Sequence, residues 1–310
     1  MTTALFTHPD CDLHAEPPGH PEQVARLTAV SRALAPLDLL RLDAPLGDEA
    51  DMLRCHPAAY IARVKAAVPR QNWASMDGDT YLAPGSYQAA LRGVGGACAA
   101  VDLVLSGAVQ NAFVATRPPG HHAETATAMG FCLFGNVAIA AKRALEVHQL
   151  ARVAIVDFDV HHGNGTQDLL WNEARCLFAS SHQMPLYPGT GSPDERGAHG
   201  QIINIPLRNG SGGAEMRAAY EAQVFPALAA FSPQLLLISA GFDAHQADPL
   251  AGLNWATADF AWLTERLCDV ADKACGGRVV SCLEGGYDLD ALAASAAAHV
   301  GVLKERAHGG

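Results

Sequence analysis

Short apolar runs alternate with longer alanine-rich segments along this 310-residue chain. Apolar runs of about five residues fit fully buried strands, and the alanine-rich segments between them fit helices. The alternation predicts an α/β fold in which helices cover both faces of a parallel sheet. The predicted strands are Leu5–Thr7, Ala112–Thr116, Val153–Asp157, Cys176–Ser180, Ile202–Ile205, Leu235–Ser239 and Val279–Leu283. The predicted helices are Ala25–Ala35, Pro57–Val68, Ser86–Leu105, Asn136–Val147, Glu215–Ala230, Thr257–Lys273 and Leu289–Glu305.

Composition indicates one large globular domain. Hydrophobic residues make up 49% of the chain and charged residues 17%, which is enough apolar material for a large core. The sequence has no internal repeat, low-complexity tract or long linker, so we predict a single domain over residues 1–310. Two long loops rich in Gly and Pro, 70–85 and 182–199, favour a role in building a site.

Charge and cysteine usage narrow the classes of partner. The formal net charge is −11 and no basic run is present, which argues against a nucleic-acid binder. The eight cysteines are scattered in apolar or helical contexts, as expected in a reducing compartment. The N-terminus lacks a basic and apolar leader, and no uninterrupted apolar stretch approaches the roughly 18 residues of a spanning helix. We therefore expect a cytoplasmic, soluble protein with no membrane partner.

Polar clusters follow four of the predicted strands. In open parallel sheets, ligands bind beyond the carboxyl ends of the strands. The clusters are Arg117–His122, Asp157–His161, Gly241–Asp243 and Glu284–Tyr287. We expect these four loops to converge on one rim of the sheet.

The Asp-x-Asp-x-His pattern at one strand end predicts a metal site. Asp157, Asp159 and His161 share one side of an extended chain, and buried carboxylates need a compensating cation. Asp243 is the natural third ligand beside Asp159 and His161, although a helix N-cap is an equally good interpretation of Asp243 alone. Three ligands leave the fourth position of a catalytic zinc free, and iron(II), cobalt(II) or manganese(II) also fit. Asp157 comes earlier and suits an outer acceptor or a monovalent-cation site.

Two further features indicate acid–base chemistry. His121 and His122 offer two imidazoles that can divide the acid and base roles, although a chain with 14 histidines can carry incidental loop histidines. The preceding prolines and Gly120 favour a rigid, close approach over an incidental loop. Tyr287 follows two glycines and could donate to an oxyanion, or it could be a packed loop tyrosine.

These motifs together resemble the histone deacetylase superfamily. The matching segments occur in the family's order and spacing, from about His20 to the last predicted helix. Among them, the segment that ends at Gln167 is closest to the class II branch and its bacterial amidohydrolase relatives. The segments are Arg117–His122, Asp157–Gln167, Tyr187–Gly191, Ala240–Ala244 and Glu284–Tyr287.

The resemblance implies a fold and a set of roles. The fold would be the arginase–deacetylase α/β architecture, a single domain with a central eight-stranded parallel sheet flanked by helices. One zinc ion would be bound by Asp159, His161 and Asp243. His122 would act first as general base and then as general acid, and Tyr287 would hold the oxyanion with the metal. The remaining catalytic residues would be His121, acting electrostatically, with Asp157 behind it, and Asn164, which orients His122 where the class I branch has an Asp.

The resemblance also implies a substrate tunnel and a structural potassium ion. The tunnel residues would be Gly130, Phe131, Tyr187 and Leu250. Leu250 stands where polyamine-selective relatives carry a Glu, which modestly favours acyl-lysine over acetylpolyamine. The potassium ligands would be Asp157, Asp159, His161, Ser180 and Ser181. A further cluster with metal-like spacing, His8, Cys11, His14 and His20, does not reproduce the family's structural zinc pattern, and we interpret it as incidental loop residues.

Several functions share these residues. The first is a zinc-dependent amidohydrolase that acts on acetyl-lysine in proteins or peptides. The second is a deacylase of small amides or esters such as acetylpolyamines. A non-catalytic acyl-lysine reader is disfavoured because every catalytic element is present, and a binuclear manganese enzyme would need carboxylates beyond Asp248. An oligomer is compatible with the sequence, and the physiological substrate and acyl length stay open.

Overall fold

The computed structural model of the chain describes residues 2–308, so the ends of the predicted 1–310 domain lie outside the described residues. Eight strands form one parallel sheet, and two short strands pair as a separate antiparallel hairpin. The sheet strands are β1 Thr3–Thr7, β2 Leu40–Asp43, β5 Asn111–Val114, β6 Val153–Asp157, β7 Cys176–Gln183, β8 Ile202–Leu207, β9 Leu235–Ala240 and β10 Val279–Leu283. The hairpin strands are β3 Ala74–Ser75 and β4 Tyr81–Leu82. The order across the large sheet is β2-β1-β5-β10-β9-β6-β7-β8.

Helices cover both faces of this sheet. The helices are α1 Ala25–Leu34, α2 Glu49–Met52, α3 Ala58–Ala67, α4 Ser86–Leu105, α5 Asn136–Glu146, α6 Asn164–Leu170, α7 Gly213–Ala219, α8 Phe225–Phe231, α9 Thr257–Cys275 and α10 Leu289–His308. Successive residues of a strand point to opposite faces, so each central strand feeds two cores. In β6, Val156 joins the core shared with α9 and α10, whereas Ile155 joins the core shared with α4 and α5. This confirms the predicted α/β fold with a buried parallel sheet.

The sequence pattern located seven of the eight strands of the large sheet and missed β2, and it also missed the two-residue strands β3 and β4 of the hairpin. Strand β2 has the sequence Leu-Arg-Leu-Asp, lies at the sheet edge and is largely exposed, so it lacks the apolar run that marks the other strands of that sheet. The predicted helix Glu215–Ala230 is divided in the structure, because a π-helical turn at Tyr220–Val224 separates α7 from α8. Helices α2 and α6 were also missed, because α2 has only four residues and the seven residues of α6 include few apolar ones.

Within the described residues, α4 is long and apolar enough to cross a membrane by length and composition alone. Most of the helix is buried inside the protein, where Val101 and Val104 pack in the core beneath the sheet. Its apolar composition is therefore accounted for by core packing.

Candidate active site

Four loops meet at the carboxyl edge of the sheet, above its central strands. They follow β5, β10, β9 and β6, which are consecutive in the sheet order. Because parallel strands end at the same edge, the polar clusters after each strand come together in space. The convergence that the strand ends predicted is present in the structure.

Asp159, His161 and Asp243 form a compact buried group. Nδ1 of His161 lies 3.2 Å from Oδ1 of Asp159 and 3.1 Å from Oδ2 of Asp243, and one ligand atom of each residue lies within 4.8 Å of the others. Two zinc ligands at ~2.0 Å in tetrahedral geometry are about 3.3 Å apart, so this spacing suits one tetrahedral ion. The donor set, one imidazole and two carboxylates, therefore fits a divalent metal.

The electrostatics of this group also call for a cation. Burial, followed by the charge of Asp159, raises the pKa of Asp243 to about 7. Burial opposes protonation of His161, but its hydrogen bonds with Asp159 and Asp243 raise the pKa of its imidazole to about 10. The two carboxylates thus repel each other and hold a positive charge at the shared imidazole nitrogen. A bound divalent cation would satisfy the same demand.

The two adjacent histidines differ sharply in their surroundings. Nδ1 of His121 lies 2.9 Å from Oδ2 of Asp157, and both side chains are buried. Burial opposes its charge, yet the charges of Asp159 and Asp157 raise the pKa of His121 well above its ordinary value. Burial, and then the positive charges of His121 and His161, hold the pKa of His122 well below its ordinary value. His121 is therefore suited to carry charge, and His122 is suited to accept and return a proton.

Asn164 fixes the tautomer of His122. Nδ2 of Asn164 donates to Oε1 of Glu124 at 2.8 Å, which turns Oδ1 of Asn164 toward Nδ1 of His122 at 2.7 Å. Nδ1 of His122 must then carry the hydrogen, because Oδ1 only accepts. Nε2 of His122 is left as the basic nitrogen. Gly130, with φ +54°, lies so close to the His122 ring that a Cβ at this position would overlap it.

Tyr287 is held from two sides. The Arg26 guanidinium lies 5.0 Å from the centre of its ring, and Oδ2 of Asp248 accepts a hydrogen bond from the Tyr287 backbone N–H at 2.7 Å. Burial, and then the charge of Asp243, raise the pKa of the Tyr287 phenol well above its ordinary value. The phenol therefore keeps its hydrogen and can donate it to a developing oxyanion.

The residues proposed for the tunnel line one cavity of about 440 Å³. Phe131 lies edge-on to Tyr287 with ring centres 5.8 Å apart, and Tyr187 lies edge-on to His122 at 5.2 Å. Leu250 also lines the cavity. The cavity is thus bounded mainly by aromatic and aliphatic side chains, with Asp79 and His20 also at its wall, and carries His122, His161 and Tyr287 in its lining. Gly130 lines the cavity as well, so all four residues predicted for the tunnel face the same space.

A buried network that the sequence did not reveal supports these loops. Glu22 pairs with Arg26 and Arg117, and all three side chains are fully buried. Burial raises the pKa of Glu22, but the charge and hydrogen bonds of Arg117 together with the charge of Arg26 outweigh it and lower that pKa to about 2. Arg26 also donates to the backbone carbonyls of Glu284 and Gly286, beneath Tyr287. The pairing links α1 to loops that are far apart in the sequence, so no local spacing could signal it.

Glu284 is a second functional residue that sequence reasoning left without a role. Its carboxylate accepts hydrogen bonds from the backbone N–H groups of Gly120, at 2.7 Å, and His121, at 3.2 Å, and from the Ser239 hydroxyl at 3.0 Å. Burial is the main cause that raises its pKa, to about 7. Glu284 therefore fixes the backbone of the histidine pair. Its place beside the two glycines before Tyr287 was the available signal.

The residues carried over for potassium lie on the neighbouring strands β6 and β7. Asp157 and Ser180 are paired in register, and both are buried. The Ser180 hydroxyl is 3.1 Å from Nδ1 of His182, whereas the Ser181 hydroxyl is 2.8 Å from the Tyr220 hydroxyl. The two serine side chains thus have separate partners, and a shared ion would not be bound by both hydroxyls.

The four residues His8, Cys11, His14 and His20 do not meet at one point. His8 accepts the Asp10 backbone N–H, His14 contacts Glu16 and Ser86, and His20 contacts the Asp79 carbonyl. Their interpretation as separate loop residues agrees with these contacts. His14, Glu16 and Glu22 do cluster closely enough for a metal, but Glu22 is already paired with two arginines.

The chain resembles known proteins over most of its length. A family model described as the histone deacetylase domain matches residues 20–303. The histone deacetylase-like amidohydrolase of Pseudomonas aeruginosa is 41% identical over 278 residues, which is 88% of this chain and 72% of that protein. Histone deacetylase 10, chloroplastic, of Oryza sativa subsp. japonica is 39% identical over 90% of this chain and 68% of that protein. The crystal structure of the HDA15 HD domain superposes with a TM-score of 0.93 at 34% identity, covering 98% of this chain and 89% of that one.

Proposed function

The chain belongs to the histone deacetylase family of hydrolases, and on that premise we propose that it removes acetyl or other acyl groups from the side-chain amine of lysine in proteins or peptides. The observation that carries the proposal is the shared cavity, since His122, His161 and Tyr287 all line it. A mainly apolar cavity of this kind suits the methylene stem of an acylated lysine. The Leu250 side chain itself adds no carboxylate for a second cationic amine, although Asp79 also belongs to the cavity lining.

We propose one zinc ion per chain, bound by Asp159, His161 and Asp243. When bound, the metal would supply Lewis-acid chemistry, lowering the pKa of water and polarising the acyl carbonyl. The distances from Nδ1 of His161 to the carboxylate oxygens of Asp243 and Asp159, 3.1 and 3.2 Å, support this ligand set.

The chain's own residues account for the proton transfers. Nε2 of His122 accepts a proton from the attacking water and later gives it to the leaving amine as the amide C–N bond breaks. The Tyr287 hydroxyl donates a hydrogen bond to the carbonyl oxygen as negative charge develops there. The charged imidazole of His121, which is paired with Asp157, acts electrostatically and stabilises the negative charge that develops at the carbonyl oxygen. The products are the carboxylic acid and the free lysine amine.

One further assignment rests on the resemblance. We propose that a structural potassium ion lies near Asp157 and Ser180, which are adjacent on β6 and β7 and buried. Ser181, Asp159 and His161 would contribute through backbone carbonyls.

All eight cysteines are free, which supports the reducing, cytoplasmic compartment that we propose.

The test is a substrate panel with purified full-length chain reconstituted with zinc or cobalt. Acetyl-lysine peptides are expected to be hydrolysed faster than acetylpolyamines, and longer acyl-lysines would report the acyl limit. Tyr287→Phe should lower kcat by about 10²- to 10³-fold, as for other oxyanion donors. Elemental analysis should give one metal per chain. Full activity in Tyr287→Phe, or two metals per chain, would contradict the proposal.

A further inference from the structure

His162 follows the metal ligand His161 directly but has contacts of a different kind. Its Nδ1 lies 2.8 Å from the Thr190 hydroxyl, and its Nε2 lies 3.1 Å from Oε1 of Gln167. The imidazole is buried, and both nitrogens have a protein partner. His162 therefore joins the strand end that carries His161 to the loop Tyr187–Gly191.

The surrounding hydrogen bonds determine which nitrogen of His162 donates. Nε2 of Gln167 donates to Glu195 at 2.6 Å, and Oε1 of Gln167 accepts from Asn204 at 2.7 Å. Oε1 can only accept, so Nε2 of His162 must donate to it. Nδ1 is then free to accept the hydrogen of the Thr190 hydroxyl. The Thr190 hydroxyl of the loop therefore donates an O–H···N hydrogen bond to Nδ1 of His162.

The loop around Thr190 fits closely against this imidazole. Gly191, with φ +92°, lies against the rings of His162 and His182, and a Cβ added there would come within 2.7 Å of Cγ of His162. Glu195 accepts the backbone N–H of Gly191 at 3.1 Å, and Nε2 of His182 lies 3.0 Å from the Gly191 carbonyl oxygen. The backbone after Thr190 is thus anchored, and the Thr190 hydroxyl is its side-chain link to His162.

Tyr187 begins the same loop and forms a wall of the substrate cavity. Its ring lies 5.2 Å from that of His122 and 6.3 Å from that of His161, yet 38% of the residue is exposed. A half-exposed aromatic side chain on a loop keeps its place only if the loop is held. Of the anchored residues of this loop, Thr190 lies three positions along from Tyr187.

We propose that His162 is a positioning residue for substrate binding: through Thr190 it holds the Tyr187–Gly191 loop so that Tyr187 stays against the acyl-lysine stem. This inference rests on the proposed function, because it takes the cavity as the acyl-lysine site. It separates the roles of the neighbouring histidines. His161 belongs to the metal group, and His162 belongs to the tunnel wall.

The matched pair Thr190→Val and Thr190→Ser tests the tie. Valine has nearly the shape of threonine but no hydroxyl, whereas serine keeps the hydroxyl. The dissociation constant of an acetyl-lysine peptide, measured by calorimetry in the Tyr287→Phe background, should rise about 5- to 20-fold in Thr190→Val, the range for losing one buried hydrogen bond. Thr190→Ser should stay within about twofold of the parent, and His162→Asn, whose amide oxygen can replace Nδ1, should fall between them.

Two further measurements separate positioning from general structural damage. With Tyr287 intact, Thr190→Val should raise KM while kcat changes by less than about threefold, because the proton-transfer groups are untouched. In a Tyr187→Ala background, Thr190→Val should add less than about a twofold effect, because the ring through which it acts is gone. Three results would overturn the inference. Thr190→Val could lower kcat by as much as it raises KM, its effect could add fully to that of Tyr187→Ala, or it could bind the peptide as tightly as its parent.

Hydrogen exchange distinguishes this failure from failure of the proposed function. The Gly191 and Ser192 amides should exchange faster in Thr190→Val than in Thr190→Ser, and this measurement needs no substrate. If the amides exchange faster in Thr190→Val but the wild-type protein hydrolyses no acyl-lysine, the proposed function is overturned. Unchanged exchange in an active enzyme would overturn the role of His162. Equal melting temperatures of the two Thr190 variants would exclude global unfolding as the cause.

Discussion

Replacing Asn164 by Asp should move the acidic limb of the pH–rate profile to higher pH. Oδ1 of Asn164 lies 2.7 Å from Nδ1 of His122, and both side chains are buried. An added carboxylate stabilises the charged imidazolium, so the pKa of His122 rises. His122 works as a base only when neutral, and activity at low pH is therefore lost earlier in the variant.

The size of the shift follows from the separation of the two charges. A unit charge about 4 Å away in an effective dielectric of about 20 contributes about 4 kcal/mol. That corresponds to roughly 3 pKa units. Glu124 reduces this shift. Its Oε1 accepts a hydrogen bond from Nδ2 of Asn164 at 2.8 Å in the wild type, and in the variant it would face a second carboxylate. Repulsion between the two carboxylates disfavours ionisation of the new one. We therefore expect a rise of about 1–2 units in Asn164→Asp alone.

The assay is kcat/KM against pH, with the metal saturating in every variant. Adding Glu124→Gln to Asn164→Asp restores a donor to the new carboxylate and should raise the limb further. Glu124→Gln alone is the matched control, and it should leave the limb in place or lower it slightly. The shift should persist at about 1 M salt, where exposed charges are screened, because the pair is buried. An acidic limb that stays unmoved in both the single and the double variant would refute the assignment of His122 as the base oriented by Asn164.

The remaining predictions concern the walls of the site. Asp248→Asn removes one of the acceptors that bind the backbone N–H groups of Tyr287 and Leu250, so kcat should fall about tenfold with little change in KM, measured by steady-state kinetics. Gly285→Ala should lower the zinc content per chain in elemental analysis, because an added Cβ would overlap Oδ2 of Asp243. Leu250→Glu should improve kcat/KM for acetylpolyamines relative to acetyl-lysine peptides, since it adds a carboxylate to the cavity lining. A chelator should abolish hydrolysis, and added zinc should restore it.

Much of the fold was predictable because its strands are buried on both faces. A strand such as β6 is apolar at every position until Asp157, so its length and its end are visible in the sequence. The edge strand β2 has exposed positions and no such signal. The π-helical turn between α7 and α8 had one local signal, Pro226 at the start of α8, because proline has no backbone N–H to donate within a continuous helix.

The metal group and the histidine pair could be found because each follows a strand, and strand ends share one edge. Their supporting partners could not be found in the same way. Glu284 reaches Gly120 across 164 positions of sequence, and Asp248 reaches Tyr287 across 39. Local spacing carries no information about such pairs. The role proposed for His162 has the same origin, since it depends on a hydrogen bond to Thr190 from another loop.

The glycines of the motifs have a steric explanation that links these observations. Gly241 and Gly285 both lie against Asp159, and Gly285 also lies against Asp243. A Cβ added at Gly285 would come within 2.6 Å of Oδ2 of Asp159, closer than real Cβ contacts allow. The backbone N–H of Gly285 instead donates to that same oxygen at 2.8 Å. A side chain at Gly285 would push the backbone away and remove this donor from a buried carboxylate. The carboxylates can therefore lie close enough to share one cation because the loops around them present bare backbone, and the glycines of the motifs are part of the same site as the acids they accompany.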